Sequence, residues 1–222
     1  MEKRVQQILT DLHRVQENLL ALSDDIWLNI DHNDSAALQK GFDFKLNFNQ
    51  KLDGFNQTAF EISQLIEQFT DIHIQPVDIG KKGSPEHERI IQELDTNQPY
   101  TLEENFTYKR PYGFIFEGQA YKGINNWRHL YELFCKQLLA KDKNRFNNFI
   151  HSPESKTTRG GVFFSSDKNT FRSPIEIDNS LYTEGNLSAN SIRDKMKNLL
   201  DLFEIELKEC IIYLREDRNH TS

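Results

Sequence analysis

The segment Tyr108–Leu139, YKRPYGFIFEGQAYKGINNWRHLYELFCKQLL, decides the fold, because a strand period and a helix period meet in it within one short stretch. Phe114 and Phe116 alternate with Gly113, Ile115 and Glu117, the region of Gly118 supplies a turn, and Ala120-Tyr121-Lys122 returns as the second strand of a hairpin. Asn125 or Asn126 then caps a helix in which Trp127, Leu130, Leu133 or Phe134, and Leu138 share one stripe. A hairpin whose apolar face is covered by the following helix is the nucleus of an α+β domain. The stretch contains no active-site signature.

Upstream, Val5, Ile8, Leu9, Leu12, Val15, Leu19, Leu22 and Ile26 recur every three or four residues from Glu2 to about Leu28, which predicts one long amphipathic helix. It ends in the polar cluster Asn29 to Asp34, where Asp34 or Ser35 caps a second and longer helix reaching about Phe69. The stripe of this second helix reads Leu38, Phe42, Phe48 or Leu52, Phe55, Ala59, Ile62, Ile66 and Phe69, and its glycines Gly41 and Gly54 permit close helix contact at a cost in propensity. Two long helices joined by a short polar loop form an antiparallel hairpin that cannot cover its own stripe. Either the C-terminal domain folds back over it or a second copy covers it; the expected state is a homodimer, with Leu38, Phe42, Phe55, Ile62 and Ile66 as the oligomerisation residues.

Pro76, Gly80, Lys81, Lys82, Gly83, Ser84 and Pro85 read as a linker, with Ser84 and Pro85 starting a short helix that carries Ile90, Ile91 and Leu94. Beyond the central segment, Lys141 to Ile150 ends in a short helix, Val162-Phe163-Phe164 is a brief strand, and Ile175-Glu176-Ile177 and Leu181-Tyr182-Thr183 alternate as strands. Ser188 caps a helix with Ile192, Met196, Leu199, Leu200 and Phe203, and Cys210 to Leu214 closes the domain as a strand. The expected class is α+β. A helical hairpin (1–75) is followed by a linker with a short helix (76–99), a small mixed domain (100–215) and a loose tail (216–222).

Composition narrows the function. With 37% hydrophobic residues and sixteen Phe, a chain of 222 residues can bury a real core. No segment approaches the roughly 18 apolar residues of a membrane span, and no secretory leader is legible, so the expectation is a cytoplasmic protein with no membrane partner. Cys135 and Cys210 sit in apolar patterns as small core residues. Asp31, Asn33 and Ser35 match the first ligand positions of a calcium loop, but Ala36 stands where its glycine should be and Phe42 where its bidentate Glu should be.

No catalytic constellation is legible either. Glu117 and Glu176 lack the Lys two positions on that a metal-dependent nuclease of the PD-(D/E)xK kind requires. His129 and Glu132 read as a solvated helix face, Ser188 as a cap, and Arg159-Gly160-Gly161 lacks the ending of a phosphate loop. No cofactor and no metal are expected, and the protein reads as non-catalytic.

Net charge is −7, yet it is unevenly spread: residues 1–75 carry 6 basic and 12 acidic side chains, whereas residues 101–175 carry 12 basic and 7 acidic. The basic segment interleaves Lys109 and Arg110 with Tyr108 and Tyr112, adds Arg128, and places Lys156, Arg159, Lys168 and Arg172 in a loop rich in Ser, Thr and Gly. Cations beside aromatics and hydroxyls suit DNA or RNA. The competing expectations are that these charges answer the acidic hairpin, or that the chain is a structural adaptor binding a partner protein through that hairpin.

The words FIFEGQAYKGINNWRHLYELFCKQL and LYTEGNLSANSIRDKMKNLLDLFEI, at the two ends of residues 101–215, resemble a recurring prokaryotic domain associated with restriction-type and phage-defence proteins. The resemblance implies an accessory or recognition role beside proteins that act on nucleic acid. It carries over no activity, and the N-terminal hairpin lies outside it.

Overall fold

The computed structural model describes residues 1–72, 79–156 and 161–215. Pro76, Arg159 and the tail 216–222 therefore lie outside the described residues. The chain divides into two compact units, Met1–Pro76 and Val77–Ser222.

The first unit is a helical hairpin of α1 (Glu2–Leu28) and α2 (Ser35–Thr70). Asp34 caps α2, its carboxylate accepting from the amides of Ala36 (2.8 Å) and Ala37 (3.3 Å). The helices run antiparallel: Lys45 donates to Ser23 Oγ and to the Asp24 carboxylate, both at 2.8 Å, and Ile30 sits where a Cβ on Gly41 would be. Gly41 is thus a contact glycine. Gly54 is not, since nothing lies within 4 Å of the Cβ it lacks.

Each helix carries two stripes at the alternating spacing of three and four residues that marks a helix seam. On α1 an inner stripe of Leu9, Leu12, Gln16, Leu19, Ser23 and Ile26 overlaps an outer one of Val5, Ile8, Leu12, Val15, Leu19, Leu22 and Ile26. On α2 the inner stripe is Leu38, Gly41, Lys45, Phe48, Leu52, Phe55, Ala59, Ile62, Ile66 and Phe69, and the outer one is Phe44, Phe48, Lys51, Phe55, Thr58, Ile62, Leu65 and Phe69. The inner positions Leu9, Ser23, Gly41, Leu52 and Ala59 are buried. Of the positions peculiar to the outer stripes, Val5 is half-buried and the others stand open, with Ile8, Val15, Leu22 and Leu65 at 44, 42, 41 and 66% exposure.

The second unit is built on an antiparallel sheet of order β1-β6-β2-β3, from β1 (Pro99–Tyr100), β2 (Pro111–Phe116), β3 (Gln119–Lys122) and β6 (Cys210–Leu214). Glu117 (φ 47°) and Gly118 (φ 73°) form the two-residue turn between β2 and β3, both in the left-handed region that such a hairpin requires. The last strand pairs with both β1 and β2, setting Phe114 opposite Ile212. Alternation sorts the sheet into two faces. Phe114, Phe116, Tyr121, Cys210 and Ile212 join the main core with α4 (Trp127–Lys141) and α6 (Ala189–Leu202).

Ala120 and Tyr213, flanked by Tyr112, Ile115 and Ile211, pack on the opposite face against Ile90 and Leu94 of α3 (Pro85–Asp95). The short helix expected in the linker, and expected to dock on a neighbour, is thus the cover for this face of the sheet. Ser84 caps α3 through the His87 amide (3.2 Å), and His87 in turn accepts the Ala120 amide at 3.1 Å, occupying the edge strand β3.

A separate ribbon, β4 (Pro174–Asp178) with β5 (Leu181–Glu184), packs on α4, and α5 (Lys143–Ile150) follows α4 directly. The strand expected at Val162–Phe164 does not form. Val162 makes a single bridge to Lys156, while Phe163 and Phe164 are buried among Phe146, Phe149 and Phe203. Aromatic packing, not a hydrogen-bond ladder, uses this apolar run.

Candidate nucleic-acid interface

The basic segment enters the second unit as two loops, both anchored at the start of α4. Asn126 caps that helix through the His129 amide (2.7 Å), and Trp127, fully buried, donates its indole N–H to the carbonyl of Lys109 at 2.8 Å. The loop before β2 is held from a second side by Asn190 on α6. Its side chain accepts the Phe106 amide (2.8 Å) and donates to Asn105 (3.0 Å) and Thr107 (2.8 Å). Lys109 is exposed, with its ammonium 5.2 Å from the ring of Tyr100.

The next residue, Arg128, is half-buried, and its guanidinium donates to the Ser173 hydroxyl (2.6 Å), the Ser173 carbonyl (3.3 Å) and the Pro174 carbonyl (3.0 Å). Burial lowers its pKa, against the pull of Glu132 and Glu184. Gly185 leaves room for this arrangement, since a Cβ there would run into the guanidinium. Arg128 is thus a structural clamp, and its donors face protein carbonyls.

Between Phe163 and Ser173 the loop that Arg128 clamps is sewn to β5 and the residues after it. Ser165 and Tyr182 exchange backbone hydrogen bonds (3.0 and 2.9 Å), and the Thr183 hydroxyl donates to the Phe163 carbonyl at 2.8 Å. The Glu184 carboxylate accepts the amides of Arg172 (2.9 Å), Ser173 (3.1 Å) and Asn186 (2.7 Å). These bonds fix the backbone under Lys168, which opens a short 3-10 turn (Lys168–Thr170), and under Arg172.

Lys109, Lys156, Lys168 and Arg172 are exposed and form no ion pair with any described residue. Other cations of the same segment are engaged: Lys122 with Glu93, Lys136 with Glu132 (2.6 Å), Lys141 with Glu117 and Lys143 with Asp178 (3.3 Å). Arg110 and Tyr112 are half-buried, Tyr112 lying against the α3 face of the sheet. The structure therefore brings Lys109 and Arg172 to the two loops joined through Trp127 and Arg128, places Lys156 and Lys168 on the second of these loops, and withdraws Arg128 into the fold.

A shallow groove of ≈ 460 Å³ between α4 and β4 is lined by Arg128, Glu132, Lys136, Glu176 and Asp178. Its charges are largely satisfied by one another or by the backbone. Among the described residues no cluster of His, Cys, Asp and Glu could hold a metal ion, and no helix is long and apolar enough to cross a membrane. His129 is half-buried, and burial holds its pKa below the ordinary value.

Burial also raises the pKa of three other groups to about 12 each: the Cys135 thiol, ordinarily 9.0, and the Tyr121 and Tyr213 hydroxyls, ordinarily 10.0. Cys210 shifts the same way. Folding favours the protonated form of each, so their contribution is fully present below pH 9 and is lost as pH rises towards about 12. Stability measured by urea titration is expected to fall across that alkaline window, and native protein at pH 8 should leave both thiols unreactive towards a disulfide reagent until it unfolds. A fast-reacting thiol in the folded chain would contradict this packing.

No family model matches the chain, and no curated protein or solved structure matches it either.

Proposed function

We propose that the protein is a non-catalytic recognition module of a bacterial nucleic-acid-related system, of the phage-defence kind that the resemblance implies, and that it binds DNA or RNA through the two basic loops. The observation that carries this reading is the set Lys109, Lys156, Lys168 and Arg172, exposed, unpaired among the described residues and mounted on loops whose backbones are hydrogen-bonded in place. Exposed cations attract phosphate without first breaking an ion pair, and a fixed backbone limits the ordering cost of binding. Ser166 on the same loop is exposed and its hydroxyl adds a neutral donor.

Replacing Lys156, Lys168 and Arg172 together by Ala tests it. Binding of a labelled oligonucleotide at moderate salt should weaken about tenfold or more while the fold survives, because all three side chains leave the surface into solvent. Replacing Lys3, Arg4 and Arg14 on α1 should leave affinity nearly unchanged. Equal losses in the two triples would remove the loops as the site.

A second reading, a structural adaptor that binds a partner protein through α1 and α2, is favoured by the open apolar residues of the hairpin, among them Phe42 (56%), Ile62 (42%) and Phe69 (93%). The two readings separate on nucleic-acid binding, which the adaptor lacks.

A further inference from the structure

We infer that a second copy of this chain covers the outer stripes of α1 and α2, so that two hairpins close into one four-helix bundle. A helix with two overlapping seams has two helical neighbours. In the hairpin each helix has one. The shared positions, Leu12, Leu19 and Ile26 on α1 and Phe48, Phe55, Ile62 and Phe69 on α2, sit between the inner seam and the open side, as they do in a helix that packs on two others.

The two outer stripes also fall on one face of the hairpin. Each lies rotated in the same angular sense from its inner seam, and because the helices are antiparallel, equal rotations carry both stripes to the same side. The result is one continuous surface. Taking α1 as about 40 Å long and a helix pair as about 20 Å wide gives a footprint of about 800 Å², the per-partner size of a stable interface.

The helices of the second unit turn their apolar residues into that unit's own core. The apolar residues Ile90, Leu94, Leu130, Phe134, Met196 and Leu199 of α3, α4 and α6 are all fully buried in the second unit.

Charge placement favours self-association over a basic partner. The hairpin is acidic overall, but Lys51 is the sole charged residue in either outer stripe, and Glu17, Asp24, Asp53 and Glu67 fall on the far sides of their helices. Asp11, Asp25 and Glu61 border the outer stripes at their edges, where a carboxylate stays in water, and Asp11 is already paired with Arg14 at 3.0 Å. Lys51 can keep its stem in the seam and its ammonium in water.

The inference stands apart from the nucleic-acid reading, since it uses only residues of the first unit. Light scattering of the full chain at micromolar concentration in molar salt, where bridging by nucleic acid is suppressed, should give twice 26.1 kDa. Val15→Glu with Leu65→Glu alters only outer-stripe positions, so it should yield a monomer of unchanged helical circular dichroism. Should that pair fail to fold, Val15→Gln with Leu65→Gln should weaken self-association at least about tenfold with helicity intact. A wild-type monomer, or a dimer that either folded variant leaves undiminished, overturns the proposal. A monomer that gains mass only with a different protein also overturns it and returns the surface to the adaptor reading.

Discussion

Trp127→Ala is expected to lower the unfolding free energy by about 3–5 kcal/mol, the range for deleting a fully buried large aromatic. Trp127 is 1% exposed, packs at 4.7 Å between ring centroids on Phe106, and holds the Lys109 carbonyl through its indole. Truncation opens a cavity at the start of α4 and leaves that carbonyl without its donor, so the Lys109 loop should loosen as well. The midpoint of urea unfolding should drop with its slope unchanged. Trp127→Phe should recover most of the packing and none of the hydrogen bond, so a loss of only about 1–2 kcal/mol is expected there. An alanine variant within 1 kcal/mol of wild type would show that the helix start does not organise this region.

Gly113→Ala is the second large effect, and its cause is crowding. A Cβ at residue 113 would lie 2.5 Å from the carbonyl oxygen of Tyr121 and 2.6 Å from Leu94 Cδ2. Leu94 can turn aside, but the Tyr121 oxygen belongs to the backbone of β3, paired with β2 next to this position. β2 and β3 must therefore separate here, at about 3 kcal/mol. Amide hydrogen exchange should show faster exchange in β2, β3 and α3 and little change in α5. Cutting Leu94 back, as Gly113→Ala with Leu94→Ala, should relieve none of the loss, since the backbone clash remains and a fully buried leucine is removed as well.

Much of the fold was legible because its signals are local. Asp34, Ser84, Asn126 and Ser188 each cap a helix through an amide two or three residues on, so the same short spacing that suggests the cap also makes the bond. The hairpin turn at Glu117-Gly118 is local in the same way. What escaped is long-range. Nothing near Cys210 to Leu214 tells that this strand enters the sheet between β1 and β2, because the pairing joins residues about a hundred positions apart and local pattern is blind to it.

The helix Pro85–Asp95 reads as an element that docks on a neighbour, but which neighbour is hidden for the same reason: the face carrying Ala120 and Tyr213 lies far along the chain. Val162–Phe164 was misleading because three apolar residues in a row suit a strand and a core plug equally.

The candidate site was legible in composition and illegible in commitment. Lys109, Lys156, Lys168 and Arg172 stand in the basic segment in plain view, and so does Arg128. Only the folded chain distinguishes them, because the carbonyls that take up Arg128 are those of Ser173 and Pro174, 45 and 46 residues away. Asn190, which holds the Lys109 loop from α6, has partners more than 80 residues upstream. The double seams of the hairpin were present as spacing all along; they became informative once Leu9, Leu52 and Ala59 were seen buried and Val15 and Leu65 left open.

The measurement that bears most directly on the function is a salt titration of oligonucleotide binding by the full chain, followed by fluorescence anisotropy for both a duplex and a single strand. The logarithm of affinity should fall linearly with the logarithm of salt, at about 0.9 per phosphate contact for duplex and about 0.7 for a single strand. The Lys156, Lys168 and Arg172 triple alanine variant should show that slope reduced by about two to three contacts. No binding at low salt, or a slope identical in wild type and variant, would contradict the account.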